Sequence, residues 1–322
     1  MNAIVKKKLL WAWHVFFPKR VKNNLSLKQR IKMNKVNYLM IAPYFILFTL
    51  FTVIPVVASL VLGFSYFNML EAPRFIGLSN YISIFLNDEI FQLAIKNTII
   101  FALLTGPVSY ILCFILAWFI NDLPKHLRTF MTLVFYAPSL SGNLYMIWQF
   151  IFSDDQYGLV NSFLMTFMDL GIIKDPIKWF TDEKYIMTAL IIVQLWLSLG
   201  AGFLALGAGF KTVDTTIYEA GAIDGIKNRF QELVYITVPS MKRQMLFAAV
   251  MQISSSFAVG NISRQLCCFP STNYAGHTIM THIHDYGTVR YDMGYACALS
   301  TLLLLIMLIM NKVITTVLME KD

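Results

Sequence analysis

The sequence contains few charged residues and none of the motifs that mark common soluble enzymes. Lysine, arginine, aspartate and glutamate make up 14% of its 322 residues and hydrophobic residues make up 57%, whereas a typical soluble domain is about 25% charged. The chain contains no G-x-x-x-x-G-K-[ST] phosphate loop, no HExxH and no GxSxG. Its composition excludes an ordinary soluble domain. The absence of a phosphate loop predicts that the chain does not hydrolyse ATP itself, and we expect it to be no enzyme and to bind no cofactor.

Cysteine is also scarce, and its spacing indicates no metal or redox site. The four cysteines form no CxxC pattern, so we interpret them as structural residues. His282, His284 and Asp285 are potential metal ligands, but no further ligand lies at a suitable spacing. We therefore predict no metal site.

Long apolar runs dominate the rest of the chain. Each has about 19 residues or more, enough for a helix that rises about 1.5 Å per residue to cross a hydrocarbon core of about 30 Å. The runs are Asn37 to Leu70, Asn97 to Asn121, Thr129 to Ser153, Tyr185 to Phe210, Gln244 to Ser263 and Met293 to Asn311. They predict an all-α membrane protein with six transmembrane helices. No ionisable group lies deep in a run, which argues against an ion-coupled carrier.

The distribution of charge predicts the orientation. With both termini in the cytoplasm, 19 of the 26 lysines and arginines lie on the inner face, and the net charges are +12 inside and −4 outside. Residues 1–37 form a basic N-terminal segment, in which we expect Leu9 to Phe17 to lie at the membrane interface as an amphipathic helix. The alternative is a disordered basic tail that only sets the topology. Neither interpretation involves nucleic acid.

A polar, helix-prone segment separates the fourth and fifth runs. It reads YEAGAIDGIKNRFQELVYITVP over residues 218–239. We predict a helix over residues 215–224 with Asp214 as its N-cap, a turn at Gly225 and a second short helix up to Pro239. A helix-turn-helix protrusion of this kind suits a groove on another protein, and the charge distribution predicts that it is cytoplasmic.

This segment resembles the EAA loop of ABC importer permeases. Glu219, Ala220 and Gly221 stand at the EAA positions, followed by Gly225 and a stretch that ends in Pro239. Three more boxes are similar to those of maltose-type sugar permeases and occur in the same order: FIGLSNY at 75–81, GLVN at 158–161 and DMGYACALS at 292–300. By this resemblance the chain is identified as a member of the carbohydrate-uptake family, with a transmembrane domain over residues 38–318 and the EAA loop at 211–243.

The resemblance has three departures. Gly221 replaces the second alanine of EAA, and thirteen residues separate Gly225 from Pro239, one more than in the family pattern. An extra helical residue rotates the rest of its helix by about 100°, so we expect the second docking helix to present a different face. The family's TGGGP segment is replaced by CCFPSTNYAG at 267–276.

The resemblance implies a division of labour among several subunits. This chain would form half of a heterodimeric pathway with a second permease, joined by two cytoplasmic ATPase subunits that bind ATP and Mg and by an extracytoplasmic sugar-binding protein, in the cytoplasmic membrane of a bacterium. The residues that would dock on the ATPase are Glu219, Ala220, Gly221, Asp224, Gly225 and Pro239. The alternatives are an ABC permease for another small solute, an ATP-independent carrier and a membrane sensor.

Polar and aromatic side chains within the runs are candidates for the substrate path, because a sugar offers hydroxyl groups and C–H faces. They are Asn143, Tyr145, Trp148 and Gln149 in the third run, Gln194 and Trp196 in the fourth, and Ser254, Ser255, Ser256 and Asn261 in the fifth. Each is also a candidate for bonding between helices.

Overall fold

The computed structural model describes residues 31, 33–140, 144–167 and 175–319, and it is 77% helical. The prediction of an all-α protein is confirmed. The only strands in these residues are β1 (Ser65–Tyr66) and β2 (Arg74–Phe75), which pair antiparallel. The helices are α1 (Lys35–Phe48), α2 (Ile54–Leu62), α3 (Ser79–Leu86), α4 (Glu89–Asn121), α5 (Lys125–Leu140), α6 (Tyr145–Ile151), α7 (Leu159–Phe167), α8 (Glu183–Leu197), α9 (Ala201–Thr212), α10 (Thr215–Ile223), α11 (Arg229–Glu232), α12 (Val238–Ser240), α13 (Lys242–Phe257), α14 (Asn261–Leu266), α15 (Ile279–His284) and α16 (Met293–Met319).

Three helical stretches of the described residues are long and apolar enough to cross a membrane. They are Lys35–Leu62, Glu89–Asn121 and Met293–Val317. A fourth is reached if α8 and α9, which meet at a bend of 41°, count as one broken span. The third run contains α5 and α6, and the fifth run is divided between α13 and α14.

The chain divides into two compact units, Met1–Ala58 and Ser59–Asp322. In the first unit, the described side chains of α1 are all at least partly exposed, as a helix in contact with lipid would be. The predicted interfacial helix at residues 9–17 lies outside the described residues.

In the second unit α4 is the central helix, and α8, α9 and α13 pack against it. Its first turn is fixed by Asp88, whose side chain accepts a hydrogen bond from the amide of Phe91 (2.9 Å). A buried amide joins three of these elements: Gln252 of α13 donates to the carbonyl oxygen of Ser198 (3.0 Å) between α8 and α9, and accepts from Ser109 of α4 (3.4 Å). Such polar contacts hold helices together where the surroundings are apolar on all sides.

Candidate functional site

The segment between α9 and α13 is built from local capping interactions. Asp214 accepts a hydrogen bond from the amide of Thr216 (3.0 Å) and caps α10. At the other end Gly225 has φ +97°, a conformation that glycine takes at little cost, and the amide of Ile226 donates to the carbonyl oxygen of Gly221 (3.0 Å). The predicted cap at Asp214 and the predicted turn at Gly225 are both confirmed.

The second half of this segment contains a π-helical turn. After α11, residues Leu233–Thr237 form a π turn, in which the amide of Val238 reaches back five residues to the carbonyl oxygen of Leu233. Because a π turn spans one residue more than an α turn, it provides a place for the additional residue between Gly225 and Pro239. The turn is fastened to α10 by a hydrogen bond between the hydroxyls of Tyr218 and Thr237 (2.8 Å).

Two of the departures from the EAA pattern meet in space. Gly221 is buried, and a Cβ atom at this position would lie 2.6 Å from Cδ1 of Ile236 and 3.1 Å from Cδ1 of Ile226. Ile236 lies inside the π turn that provides a place for the additional residue. The alanine of the family pattern would therefore lie too close to the Ile236 side chain in its present rotamer, and glycine avoids this contact.

The other docking candidates lie on the surface. Glu219, Ala220, Asp224 and Gly225 are exposed on α10 and its turn, and Pro239 is exposed in α12. Next to them Ile223 is 87% exposed. Gly221 differs from the rest of the predicted set because it faces the interior of the segment.

One ion pair connects this segment to the end of α4. Nη2 of Arg229, at the start of α11, lies 2.7 Å from Oδ2 of Asp122, the residue that comes directly after α4. The same guanidinium lies 3.5 Å from Glu232. The segment between α9 and α13 is therefore in direct contact with the C-terminal end of α4.

The other end of α4 is held by a buried polar network. Asp88 Oδ2 accepts hydrogen bonds from Nε2 of His282 (2.9 Å) and from the hydroxyl of Tyr295 (2.8 Å), and His282 Nδ1 lies 3.1 Å from Nε2 of His277. Burial alone would raise the pKa of Asp88, but the bonds from His282, the Phe91 amide and Tyr295 lower it below its ordinary value. Burial, and then His282, lower the pKa of His277 to about 4.

No group of three potential metal ligands occurs among the described residues. His282 is instead engaged with Asp88 and His277, while His284 interacts with the hydroxyl of Thr288 (3.0 Å). His282 and His284, which are two positions apart in the sequence, therefore have separate partners in the fold.

The substrate-path candidates of the third run lie largely in an aromatic cluster. Trp148 packs edge to face against Trp196 of α8, with ring centroids 5.3 Å apart, and Tyr145 packs against the same core. Gln149 donates to the carbonyl oxygen of Gln265 in α14 (2.6 Å). Asn143 lies outside the described residues. These contacts connect α6 with α8 and α14.

The candidates of the fourth and fifth runs are divided among several surroundings. Gln194 and Ser255 line one cavity of about 140 Å³ at the bend between α8 and α9. Ser254 accepts a weak hydrogen bond from Asn311 of α16 (3.5 Å), and Ser256 is buried and bonds the carbonyl oxygen of Ile253 (2.8 Å). The last two are therefore engaged within the helix packing.

Asn261 lines a separate cavity of about 330 Å³, which we call the Arg264 cavity. It lies where the fifth run is broken, between α13 and α14. Its polar side chains come from α14, α15, α16 and a second π turn, Asp285–Val289, which follows α15. Those used below are Asn261, Arg264, His284, Thr288 and Ser300. Arg264 carries the only lysine or arginine charge in the described lining.

Known transport proteins are similar to this chain in sequence. The probable ABC transporter permease YesP of Bacillus subtilis (strain 168) is 30% identical over 279 residues, covering 85% of this chain and 87% of YesP. The lactose transport permease LacF of Rhizobium radiobacter is 32% identical, covering 70% of this chain and 73% of LacF. The chain belongs to the carbohydrate-uptake permeases of ABC transporters. No family model matches the sequence.

A further relative and one solved structure agree with this assignment. The arabinooligosaccharide permease AraP of Bacillus subtilis (strain 168) is 27% identical to the permease and covers 85% of each chain. The fold is similar to that of a bacterial ABC transporter that imports the acidic polysaccharide alginate, with a TM-score of 0.74 at 21% identity, covering 92% of the permease and 99% of that chain. The permease is an integral membrane protein whose relatives are transport subunits and not enzymes.

In each of the three boxes that resemble those of sugar permeases, a polar side chain holds the backbone of the permease through hydrogen bonds. Asn80 of FIGLSNY donates to the carbonyl oxygens of Gly63 and Ser65 (3.0 and 3.1 Å). Asn161 of GLVN is buried, donates to three backbone carbonyls and accepts from the indole of Trp179 (3.0 Å). Asp292 of DMGYACALS caps the start of α16 by accepting from the amide of Tyr295 (3.1 Å).

Sequence reasoning missed Arg264 and the Asp88 network. The sequence alone places Arg264 only in the outer charge balance, although it lies three residues after Asn261 and so shares a helical face with it. The partners of Asp88 lie 194 and 207 residues away, at His282 and Tyr295, and no local pattern indicates such pairs.

Proposed function

We propose that this permease forms one half of the translocation pathway of an ATP-driven importer of sugars or oligosaccharides in a bacterial cytoplasmic membrane. A second, different permease subunit supplies the other half. Two cytoplasmic ATPase subunits hydrolyse ATP with Mg, and an extracytoplasmic binding protein delivers the saccharide. The permease itself binds no cofactor.

In this proposal the transmembrane domain covers residues 38–318 and crosses the membrane six times, with both termini inside. Three spans are continuous helical stretches, the fourth is the bent pair α8 and α9, the third contains α5 and α6, and the fifth is interrupted between α13 and α14. Broken helices are tolerated at membrane depth only where protein or a water-filled cavity surrounds the free backbone groups. The cavity at the break between α13 and α14, and the Gln252 bond to the carbonyl oxygen of Ser198 at the bend, support this arrangement.

The observation that carries the proposal is the surface of α10. Its fold is completed internally by the Asp214 cap, the Gly225 turn and the Tyr218–Thr237 bond, so its outer face is free for a partner. That face combines the carboxylates of Glu219 and Asp224 with an 87% exposed isoleucine, Ile223. A large exposed apolar side chain beside charges is typical of a protein interface.

The proposed coupling runs from this surface into the bundle. Closure of the ATPase dimer moves α10, and the Arg229–Asp122 pair carries this movement to one end of α4. Because α8, α9 and α13 all pack against α4, the helices rock together and the pathway opens alternately to the two sides.

We assign the path to the residues near the two breaks. Gln194 and Ser255 are placed at the bend of α8 and α9, and Asn261 beside the end of α13. Tyr145, Trp148, Gln149 and Trp196 stand nearby as path candidates that also support the helix packing. Ser254 and Ser256 line neither of these two cavities, and we place them last among the candidates.

The docking role is tested by exchanging one exposed side chain. We expect Ile223→Glu to abolish co-purification of the ATPase subunits with the permease from cells that express all partners. Leu70→Glu is the matched control, because Leu70 is 91% exposed but lies in the β1–β2 connection. The thermal stability of both variants should equal that of the wild type.

A second variant tests the turn. Proline requires φ near −65°, which is incompatible with φ +97° at position 225, so Gly225→Pro should also release the ATPase. Saccharide-loaded binding protein should stimulate ATP hydrolysis by the wild-type assembly in lipid. Retention of the ATPase by Ile223→Glu and Gly225→Pro at wild-type levels would contradict the docking role, and a wild-type permease that captures no ATPase would contradict the importer.

A further inference from the structure

The Arg264 cavity contains a positive charge without a counter-charge. The side chain of Arg264 donates to the amide oxygen of Asn261, three residues earlier in α14. Among the residues that the structure describes, no carboxylate oxygen lies within 4.0 Å of its guanidinium nitrogens. Its Nε atom is buried and has no hydrogen-bond partner.

The acidic side chains nearby are already engaged. Asp285 Oδ2 accepts from Nη2 of Arg290 at 2.7 Å, and Arg290 also lies over the ring of Tyr286, 4.4 Å from its centroid. Asp292 caps α16, and Asp88 is enclosed with His282 and Tyr295. These bonds leave the guanidinium of Arg264 as the charge that the cavity presents to a ligand.

The other lining groups are neutral hydrogen-bonding side chains. Asn261 offers an amide. The hydroxyls of Thr288 and Ser300 donate to the carbonyl oxygens of His284 (2.7 Å) and Ala296 (2.9 Å), and their oxygens can accept from sugar hydroxyls. Burial, and then the charge of Arg264, lower the pKa of His284, which favours a neutral imidazole. The cavity thus combines one fixed cation with several neutral polar groups.

We propose that the Arg264 cavity binds a saccharide that carries a carboxylate, and that Arg264 binds this carboxylate through its guanidinium. The inference rests on the proposed import function and specifies its substrate class. The planar guanidinium matches a carboxylate with two parallel hydrogen bonds, whereas a neutral sugar would leave the cation without a counter-charge. The named cargoes of the relatives include both lactose and alginate, so family membership alone does not decide the charge of the substrate.

The test compares two probes that differ only in the carboxylates. Tri-galacturonate and its carboxyl-reduced, neutral trisaccharide are titrated onto the complete importer in lipid nanodiscs, and ATP-dependent uptake of both is measured in vesicles. We expect Arg264→Gln to weaken binding of tri-galacturonate by about tenfold or more, since hydrogen bonds to charged groups contribute strongly. Binding of the neutral trisaccharide should change by less than about twofold.

Two variants serve as controls. Arg264→Lys keeps the charge but loses the planar fork, and should recover part of the binding. Arg74→Gln removes a positive charge from the exposed strand β2, away from the cavity, and should leave binding of both probes unchanged. In the wild type, added salt should weaken binding of tri-galacturonate and not of the neutral probe, a readout that does not depend on the folding of a variant.

Equal binding of both probes by the wild type would overturn the inference, as would equal losses in Arg264→Gln and Arg74→Gln. ATP-dependent uptake of the neutral trisaccharide without uptake of tri-galacturonate would overturn the inference and leave the importer proposal standing. Absence of ATP-dependent uptake of either saccharide would contradict both.

Discussion

The two ends of α4 carry the same residue type in different surroundings. Asp88 precedes the helix, and its side chain is 8% exposed and bonded to His282, whose side chain is 1% exposed. Asp122 comes directly after the helix, and its side chain is 35% exposed and paired with Arg229, which is 62% exposed. The two distances are similar, 2.9 Å and 2.7 Å.

Distance is therefore a poor guide to the contribution of each interaction. A buried charge is stabilised mainly by its partner. If the partner is removed, the lost interaction energy is not replaced by hydration, because the charge has no contact with water. A charge at the surface is hydrated with or without its partner and is screened by salt. We therefore expect the Asp88 end of α4 to be a rigid anchor, and the Asp122 end to be held by a weaker contact that contributes little to stability.

The largest effect should come from Asp88→Asn. Asparagine keeps the shape of the side chain but removes the charge, and it can place an N–H group where Oδ2 accepts from His282 and Tyr295. We expect the free energy of unfolding to fall by about 3 kcal/mol, as measured by reversible unfolding in mixed micelles. The control is Glu89→Gln at the exposed neighbouring position, which should lose less than about 0.5 kcal/mol. Equal losses for the two variants would contradict the anchor.

Acid should weaken the same end of the helix. The pKa of His277 is about 4 in the folded protein because of burial and His282, with Asp285, Asp88 and Arg290 as the other nearby charges. An unfolded chain with an ordinary histidine pKa of about 6.5 binds a proton in the interval between these values that the folded chain does not bind. Stability should therefore fall by about 3 kcal/mol as the pH drops from about 6.5 to 4.

This pH dependence has a direct test. His277→Gln should flatten the stability profile between pH 6.5 and 4, whereas His126→Gln, at an exposed position of α5, should leave the profile unchanged. At still lower pH a further loss is expected, because the lowered pKa of Asp88 means that stability is lost when this carboxylate is protonated. An unchanged profile in His277→Gln would exclude this residue as the cause.

The separation of the interacting residues along the sequence decides how well the sequence predicts the structure near each end of α4. The segment near Asp122 is predicted in detail, since the cap at Asp214 and the turn at Gly225 depend on residues only a few positions apart. The Asp88 network joins residues 194 positions apart, and such pairs exist only after the helices have packed. The six apolar runs likewise identify a membrane protein, but the bend between α8 and α9 and the break between α13 and α14 depend on tertiary contacts.

Gly221 and Ile236 lie between these cases. Each of the two departures from the family pattern is visible in the sequence, but their connection is not, because a π turn cannot be recognised from residue types alone. Arg264 was missed for a different reason. The hydroxyl groups and C–H faces of a sugar point to neutral polar and aromatic side chains, and a cation in an outer loop is ordinarily explained by its contact with solvent.

An intermediate effect is expected at Gly221. The Cβ atom of Gly221→Ala would lie 2.6 Å from Cδ1 of Ile236, so the Ile236 side chain must move from its present rotamer, and we expect a loss of about 0.5–1.5 kcal/mol in the free energy of unfolding. Ile236→Val removes the Cδ1 atom, and the double variant should recover most of the loss. In the control Gly207→Ala, within α9, no atom lies within 4 Å of the new Cβ, and a gain of up to about 1 kcal/mol is expected. Equal losses at both positions would exclude the collision.

The smallest effect on stability should come from Arg229→Gln. Both members of the Arg229–Asp122 pair keep contact with water, so the variant should lose less than about 1 kcal/mol, and a double-mutant cycle with Asp122→Asn should give a coupling energy of similar size that decreases with added salt. If this pair carries motion from the segment between α9 and α13 to α4, ATP hydrolysis by the assembly should continue in Arg229→Gln while saccharide uptake per ATP falls. A loss of stability as large as that of Asp88→Asn would instead mean that the two ends of α4 are anchored alike.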